Sequence, residues 1–381
     1  MIYLDNAATT EIAHEVIETL LPSFKQQFAN PSARHRLGVQ VRETLESCRE
    51  RIASWCGVPV RGVVFTSGGT EANNLAALRL RLPSGTTTVL STAAEHPSLL
   101  RPLRSRPGYE WRPLRIGSDG VVDLEDLEKK LDRTVGLVAL FEGHNEIGSL
   151  QKVREITALV RSRTPRALIH LDAVQSFGKA EEDLLAPEGV TSRSISAHKF
   201  HGPKGIGALL ISEPGKLEAL ILGGGQEHDL RGGTENVPGI LGLCKAVELL
   251  VLHGAQGRAS MRECTRRMRE GIRDTIPGVR FLVDGFNGLP HILSAVFDGV
   301  PATALLHHLE QHEIFTSAGA ACHSNSKTLS PALKEIGLTD AQIRSTLRLS
   351  VSRFTTTADV ETLLSRLPAL VKSLRNLGAA V

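Results

Sequence analysis

Apolar and polar positions follow two periods along this chain. Arg61–Thr66, Thr86–Ser91, Tyr109–Arg115, Val135–Phe141 and Ala167–Leu171 carry the alternating or continuous apolar pattern of strands. Between them Thr70–Leu80, Pro97–Leu103, Leu124–Leu131 and Val153–Arg163 carry helical spacing. This alternation over about 150 residues predicts a mainly parallel sheet covered by helices on both faces, an α/β architecture. Two helices precede it. One spans Ile12–Phe28 and ends near Asn30-Pro31, because a residue before proline disfavours helix. The other spans residues 38–55 and stops at Gly57.

After about residue 255 the texture changes. A long helix over Ala259–Thr275 precedes a strand over His291–Phe297, a helix over Thr303–His312, a strand over Leu347–Val351 and a last helix over Ala358–Leu377. The chain therefore divides into a large α/β domain, residues 15–255, and a smaller α+β domain formed by residues 1–14 and 256–381. A length of 381 residues suits two domains.

Hydrophobic residues make up 41 % and charged residues 22 %, which is ordinary for a soluble globular chain. The net charge of +3 is too small to demand nucleic acid as a partner. The most basic run, Arg262–Arg273, mixes Arg with Glu and reads as the solvated face of a helix. No secretory leader is expected at Met1–Asn6, and the apolar runs are too short to span a membrane. Five scattered cysteines with no CxxC pair suggest neither a disulfide framework nor a structural metal site, and a cytoplasmic setting.

Four stretches carry chemistry. In Ser194–Gly205 a short half-buried strand ends in Ala197-His198-Lys199 and breaks at Gly202-Pro203. A lysine there can become a neutral nucleophile for a carbonyl, or can be a solvated residue of a turn. In Val63–Asn74 a strand, Gly68-Gly69 and Thr70 open into a helix. That start either binds phosphate with its backbone N–H groups and dipole, or is a capped helix without ligand. The strand Ala167–Leu171 ends in Asp172, at the strand end where open α/β sheets bind ligands. Asp172 there either holds a pyridinium nitrogen protonated or serves as an N-cap. His96, before Pro97, can stack on a flat ring and carry protons, or be structural. Pyridoxal 5′-phosphate needs a lysine for its aldehyde, an acid for its ring nitrogen and a phosphate cradle. Lys199, Asp172 and the Gly69-Thr70 helix start supply all three.

Cys322 lies among small and polar residues in Thr316–Lys327, which predicts an exposed, flexible loop at about residues 316–333. An exposed thiol is a hazard unless used. Cys48, Cys56, Cys244 and Cys264 lie in apolar or helical patterns and read as core or helix-face residues.

With these residues in view, the chain resembles the cysteine desulfurases of the NifS and IscS type, fold-type I pyridoxal phosphate enzymes of the class V aminotransferase family. The likeness runs through Tyr3–Thr10, Phe65–Glu71, Glu95-His96, Asn145–Gly148, Asp172–Gln175, Ser196–Lys199, Arg231–Thr234, Cys322 and Arg348–Ser350. It implies conversion of L-cysteine to L-alanine with a persulfide on Cys322. Lys199 would hold the cofactor aldehyde and His96 would stack on the ring and shuttle protons. Asp172 would pair with the ring nitrogen, and Gln175 with the ring oxygen. Gly69, Thr70, Ser196 and His198 would hold the phosphate, Thr234 that of the other subunit of a homodimer. Asn145 also belongs to the cofactor site, and with Arg348 it would hold the substrate carboxylate. The sulfur would pass to a protein acceptor, for iron–sulfur cluster assembly, tRNA thiolation or DNA sulfur modification. Selenocysteine lyase and, more distantly, an aminotransferase share the scaffold. Three departures from the family pattern stand near the site: His144 replaces a usual Asn, His323 after the cysteine a usual small hydroxyl residue, and Gly232-Gly233 a usual Ser-Gly.

Overall fold

The structure, a computed structural model, describes residues 1–180, 184–284, 288–318 and 329–378. A short strand β1 (Ile2–Tyr3) leads into helices α1 (His14–Gln26) and α2 (Arg36–Cys56). Gly57 ends α2 in the left-handed conformation, φ 65°, where a side chain would strain the backbone. Strands and helices then alternate: β2 (Val63–Thr66), α3 (Gly69–Arg79), β3 (Thr88–Thr92), α4 (Pro97–Arg104), β4 (Glu110–Leu114), α5 (Leu124–Lys130), β5 (Val135–Phe141), α6 (Val153–Arg163) and β6 (Leu168–Asp172). β7 (Ser192–Ser196) and β8 (Gly207–Ile211) follow, joined through residues 197–206. These strands form one sheet in the order β2-β8-β7-β6-β5-β3-β4. β8 is antiparallel to both neighbours, and the other pairs are parallel.

The continuous apolar run of β5 follows from helices on both faces. Leu137 and Ala139 pack with α3 and α4, while Val138 and Leu140 pack with α5 and α6. For the same reason the half-buried strand expected at Ser194–Ser196 is corrected: β7 is buried at every position. Its alternate serines face a buried polar layer rather than water.

Helix α7 (Val237–Thr275) begins 22 residues before the helix expected at Ala259. Gly239, Gly242, Gly254 and Gly257 obscure its period, and tertiary packing overrides their low helix propensity. Its first half joins the core under α1 and α2, and its second half joins a separate core. α7 is long and apolar enough to cross a membrane by length and composition, but 56 % of that stretch is buried in these cores. On its polar side Arg266 and Arg267 pair with Glu263, and Arg266 also with Glu270. This is the solvated, self-neutralising face that the Arg262–Arg273 run predicts.

The second core lies beneath an antiparallel sheet built from β9 (Val279–Phe281) and β10 (Ile292–Phe297), then, after α8 (Ala302–Glu310) and β11 (Ile314–Phe315), β12 (Ser317–Ala318). Beyond α9 (Pro331–Glu335) and α10 (Asp340–Arg344), β13 (Thr346–Ser350) completes it in the order β12-β13-β10-β9, and α11 (Thr357–Gly378) covers it. β1 pairs with β11, so the N-terminus is tied to this unit. Thr316–Ala318 and Pro331–Leu333, expected to be loop, lie in or beside β12 and in α9. The pairing of β12 with β13 recruits a segment whose sequence alone has no strand period.

Residues 221–236 cross the surface between the large sheet and α7. Glu227, His228 and Asp229 are consecutively left-handed (φ 50°, 56° and 66°), a conformation unfavourable for side chains with a Cβ. Glu227 offsets this by reaching inward. Its carboxylate accepts two bonds of 2.8 Å from Arg49 and one of 2.8 Å from Phe65 N, all buried. Glu227→Ala removes two bonds from a buried guanidinium, which keeps only Glu46 and Val63 O, and leaves a strand N–H unpaired. It should lower stability by about 3–5 kcal/mol in urea unfolding; a loss below about 1 kcal/mol would contradict the assignment.

Candidate active site

The carboxyl ends of β5, β6 and β7 and the start of α3 surround a cavity of about 280 Å³. Nine residues singled out from the sequence line it: Gly69, Thr70, His96, Asn145, Asp172, Gln175, Ser196, His198 and Lys199. Arg348 lies outside the lining. Thr234 is exposed, also outside the lining. Cys322 and its neighbours 319–328 lie outside the described residues.

Lys199 ends a 3-10 turn, Ala197–Lys199, in the β7–β8 connection. Its Nζ donates to Ala7 O at 2.8 Å and Ala8 O at 2.7 Å, so the N-terminal segment places the amine at the cavity. His198 beside it stays neutral at physiological pH. Burial, followed by the charge of Lys199, pushes it down to about 4.

Gly68 caps α3 at φ 152°, ψ −175°, a region open to glycine. At Gly69 a Cβ would come within 2.6 Å of Val174 Cγ2 and 3.5 Å of Ser196 Cβ. The glycine lets the helix start approach the ends of β6 and β7. The first N–H groups of α3 have no partner within the helix, so an anion there meets ready donors.

Asp172 is nearly buried at the last position of β6. Its Oδ2 accepts from Asn73 Nδ2 at 2.7 Å and its Oδ1 from Val174 N at 3.0 Å. No ion pair holds it among the described residues. Sequence reasoning missed the chain of groups that fixes this carboxylate. Asn73 Nδ2 donates to Asp172 and to Ser98 Oγ, so Asn73 Oδ1 must accept. It lies 3.3 Å from His170 Nε2, and His170 Nδ1 lies 2.9 Å from Ser192 Oγ. Burial pushes His170 down to about 3, so the ring is neutral, with its proton on Nε2 toward Asn73 and Nδ1 accepting from Ser192. The signal was present: Asn73 stands on the alanine-lined buried face of α3, and His170 inside an apolar strand.

The same network orients His96. Ser98 Oγ accepts from Asn73 and lies 2.7 Å from His96 Nδ1, which also accepts from Ser98 N at 3.2 Å. Nδ1 is thus an acceptor, and a neutral His96 carries its proton on Nε2. His96 is both the N-cap of α4 and a cavity residue. Next to it Glu95 is buried, and burial, reinforced by the charge of Asp172, drives its carboxyl well above the usual range despite the bond from Thr92.

His144 is fully buried; Nε2 lies 3.0 Å from Ala94 O, and Nδ1 accepts from Glu146 N and Ile147 N at 3.1 Å each. Burial pushes it down to about 4, so it is neutral and shapes the turn that carries Asn145. The Asn145 carbonyl accepts from Arg348 Nη1 at 2.9 Å, while Nη2 pairs with Asp5 Oδ1 at 2.7 Å. Arg348 Nε is buried without a partner among the described residues.

These residues fit pyridoxal 5′-phosphate. A buried carboxylate without a cation faces the cavity, a lysine amine reaches it from another strand end, and a glycine-opened helix start offers N–H donors to a phosphate. Gln175 Nε2, 2.8 Å from Ala7 O, and Ser196 stand on the same walls.

The chain matches the class-V aminotransferase family over residues 2–363. It is 36 % identical to a cysteine desulfurase of Sinorhizobium fredii over 379 residues, 98 % of this chain and 97 % of that one. A solved NifS-like protein superposes with a TM-score of 0.89 at 30 % identity, over 98 % of this chain and 99 % of the other. A structure of SspA in complex with cysteine superposes with a TM-score of 0.79 at 30 % identity, over 93 % and 100 %.

Proposed function

The chain belongs to the class-V aminotransferase family, and from that premise we propose that it is a cysteine desulfurase, converting L-cysteine and the Cys322 thiol into L-alanine and a Cys322 persulfide. The observation that carries this is Asp172, a fixed, buried carboxylate without an ion-pair partner among the described residues, sharing one cavity with Lys199. Bound there, pyridoxal 5′-phosphate supplies an electron sink for charge developed at the substrate α-carbon.

The residues of the chain divide the remaining tasks. Asp172 would hold the ring nitrogen, Gln175 the ring oxygen, and His96 would lie against the ring. Gly69, Thr70, Ser196 and His198 would hold the phosphate. Lys199 would hold the aldehyde, and its amine is the base that would move the substrate α-proton. Asn145, whose carbonyl already accepts from Arg348, and Arg348 would receive the substrate carboxylate. His96 moves a proton at Nε2. The Cys322 thiolate attacks the substrate sulfur; the carbon–sulfur bond breaks and a sulfur–sulfur bond forms, with no external oxidant. Cys322 lies four residues beyond Ala318, and β12 pairs Ser317 with Arg348.

The enzyme acts as a cytoplasmic homodimer, with Thr234 reaching the partner's phosphate site. Two features support the dimer: the exposure of Thr234, and an apolar stripe on α1 of Ile17, Leu21 and Phe24 that runs on to Phe28. Sedimentation at one protomer mass would remove the dimer from the reading. A protein acceptor takes the persulfide sulfur onward, for iron–sulfur assembly or for thiolation of tRNA or DNA.

The test uses the purified protein loaded with pyridoxal phosphate. Added L-cysteine should yield alanine and, with a thiol reductant, sulfide in equal amounts. A requirement for a keto acid would make it an aminotransferase, and strong preference for selenocysteine a lyase of that substrate. A protein that takes up no cofactor would overturn the reading.

A further inference from the structure

Linked to the cavity residue Gln175 through His291 lies a buried lysine without an assigned task. Lys179 sits in the turn after β6, where its own N–H bonds Ser176 O at 2.8 Å. No carboxylate pairs with its ammonium among the described residues. Its Nζ lies 3.3 Å from His291 Nε2. The same His291 atom lies 3.2 Å from Gln175 Oε1, and His291 Nδ1 is buried without a partner among the described residues.

Hydrogen-bond bookkeeping decides the protons here. Ala7 O accepts from Lys199 Nζ and must face a donor on Gln175. The Gln175 amide therefore turns its Nε2 to Ala7 and its Oε1 to His291. An oxygen facing His291 Nε2 demands a proton on that nitrogen. That N–H then points into the region of Lys179 Nζ, where an amine lone pair is compatible and an ammonium is not. The alternative ring tautomer would strand an N–H at Nδ1 with no acceptor.

We propose that Lys179 is held as a neutral amine and positions Gln175 through His291. Protonation of Lys179 reverses the pattern. An ammonium donates to Nε2, the ring proton moves to Nδ1, and Gln175 Oε1 loses its donor. The groups facing Lys179 give the ammonium no help. Lys199 and His198 come from the β7–β8 connection, followed by His201; His291 precedes β10, His253 lies on α7 and Arg353 follows β13. All are cationic or neutral. Burial, with the charge of Lys199 adding, pushes Lys179 down to about 7, and burial keeps His291 well below its ordinary value. A cavity of about 30 Å³ beside Lys179, bordered by His201 and Ser352, has room for about one water through which the amine can exchange its proton. The effect on Gln175 rests on its proposed contact with the cofactor; the neutral amine does not.

Two measurements on the full-length protein separate these parts. The first is stability against pH for the wild type and Lys179→Met. The unfolded chain binds this proton up to about 10.5 and the folded chain only up to about 7. Between those values the unfolded state holds more protons, so the wild type should gain stability on the Met variant as pH rises. A difference that does not vary with pH overturns the neutral amine. The second is the visible absorbance of the cofactor-loaded protein against pH. The wild type should show a transition near pH 7 that Lys179→Met loses. His291→Asn should lose it too, because an asparagine gives Gln175 an N–H and Lys179 an oxygen at every pH. This second variant serves if Lys179→Met does not fold. A transition retained in both variants overturns the link to Gln175. Failure to take up pyridoxal phosphate overturns the proposed contact of Gln175 instead, and the stability comparison still decides Lys179.

Discussion

Lys199→Ala should reduce alanine formation from L-cysteine by about 10³-fold or more, because on the proposed reading it removes the group that would both hold the aldehyde and move the α-proton. The structure leaves no ready substitute. The Lys199 amine is placed by Ala7 O and Ala8 O at the end of a turn that only residues 197–199 form. His198 is neutral and bonded toward Thr9 Oγ1 at 3.1 Å, and Lys179 does not line the cavity. The variant should still take up pyridoxal phosphate, since Asp172 and the start of α3 are untouched. Borohydride reduction followed by peptide mass analysis should find the cofactor on Lys199 in the wild type and on no lysine in the variant. Activity within tenfold of wild type, or cofactor fixed to another lysine, would reassign the site.

Cys322→Ala should likewise lower alanine formation by about 10³-fold or more and remove the persulfide, while leaving the cofactor absorbance unchanged. The other four cysteines cannot replace it. Cys48, Cys56, Cys244 and Cys264 are all buried in helices α2 and α7. Burial raises Cys56 to about 12, and raises Cys264 as well; the hydrogen bond to Cys48 raises Cys244. Cys48, lowered by that same bond, is enclosed by the core between the two helices. Persulfide labelling followed by peptide mapping should therefore mark Cys322 alone. Sulfide release at the wild-type rate from the variant would place the sulfur chemistry elsewhere.

Much of this molecule was legible residue by residue. The extents of β5 and α6 follow from local pattern, because an apolar run of strand length or a helical stripe is specified by neighbours in sequence. Lys199 before Gly202-Pro203, Asp172 at the end of an apolar strand and Gly68-Gly69-Thr70 before a helix were legible for the same reason: strand ends and helix starts are written locally. Other features were not written there. The antiparallel direction of β8 depends on the chain turning back beside β7, and the period of α7 is hidden by glycines that two cores hold in a helix. The sequence marks His170, Asn73, Lys179 and His291 as polar residues in apolar or mixed surroundings, without marking their partners. Those partners come from segments up to 116 residues apart, as His291 is from Gln175. Period reports which side of an element avoids water, whereas the sheet order β2-β8-β7-β6-β5-β3-β4 decides which ends meet. The chemical groups of this protein were thus determined by its sequence. Their protonation, their orientation and their convergence on one cavity were decided by tertiary structure, because each depends on burial and on hydrogen bonds between segments that only the fold brings together.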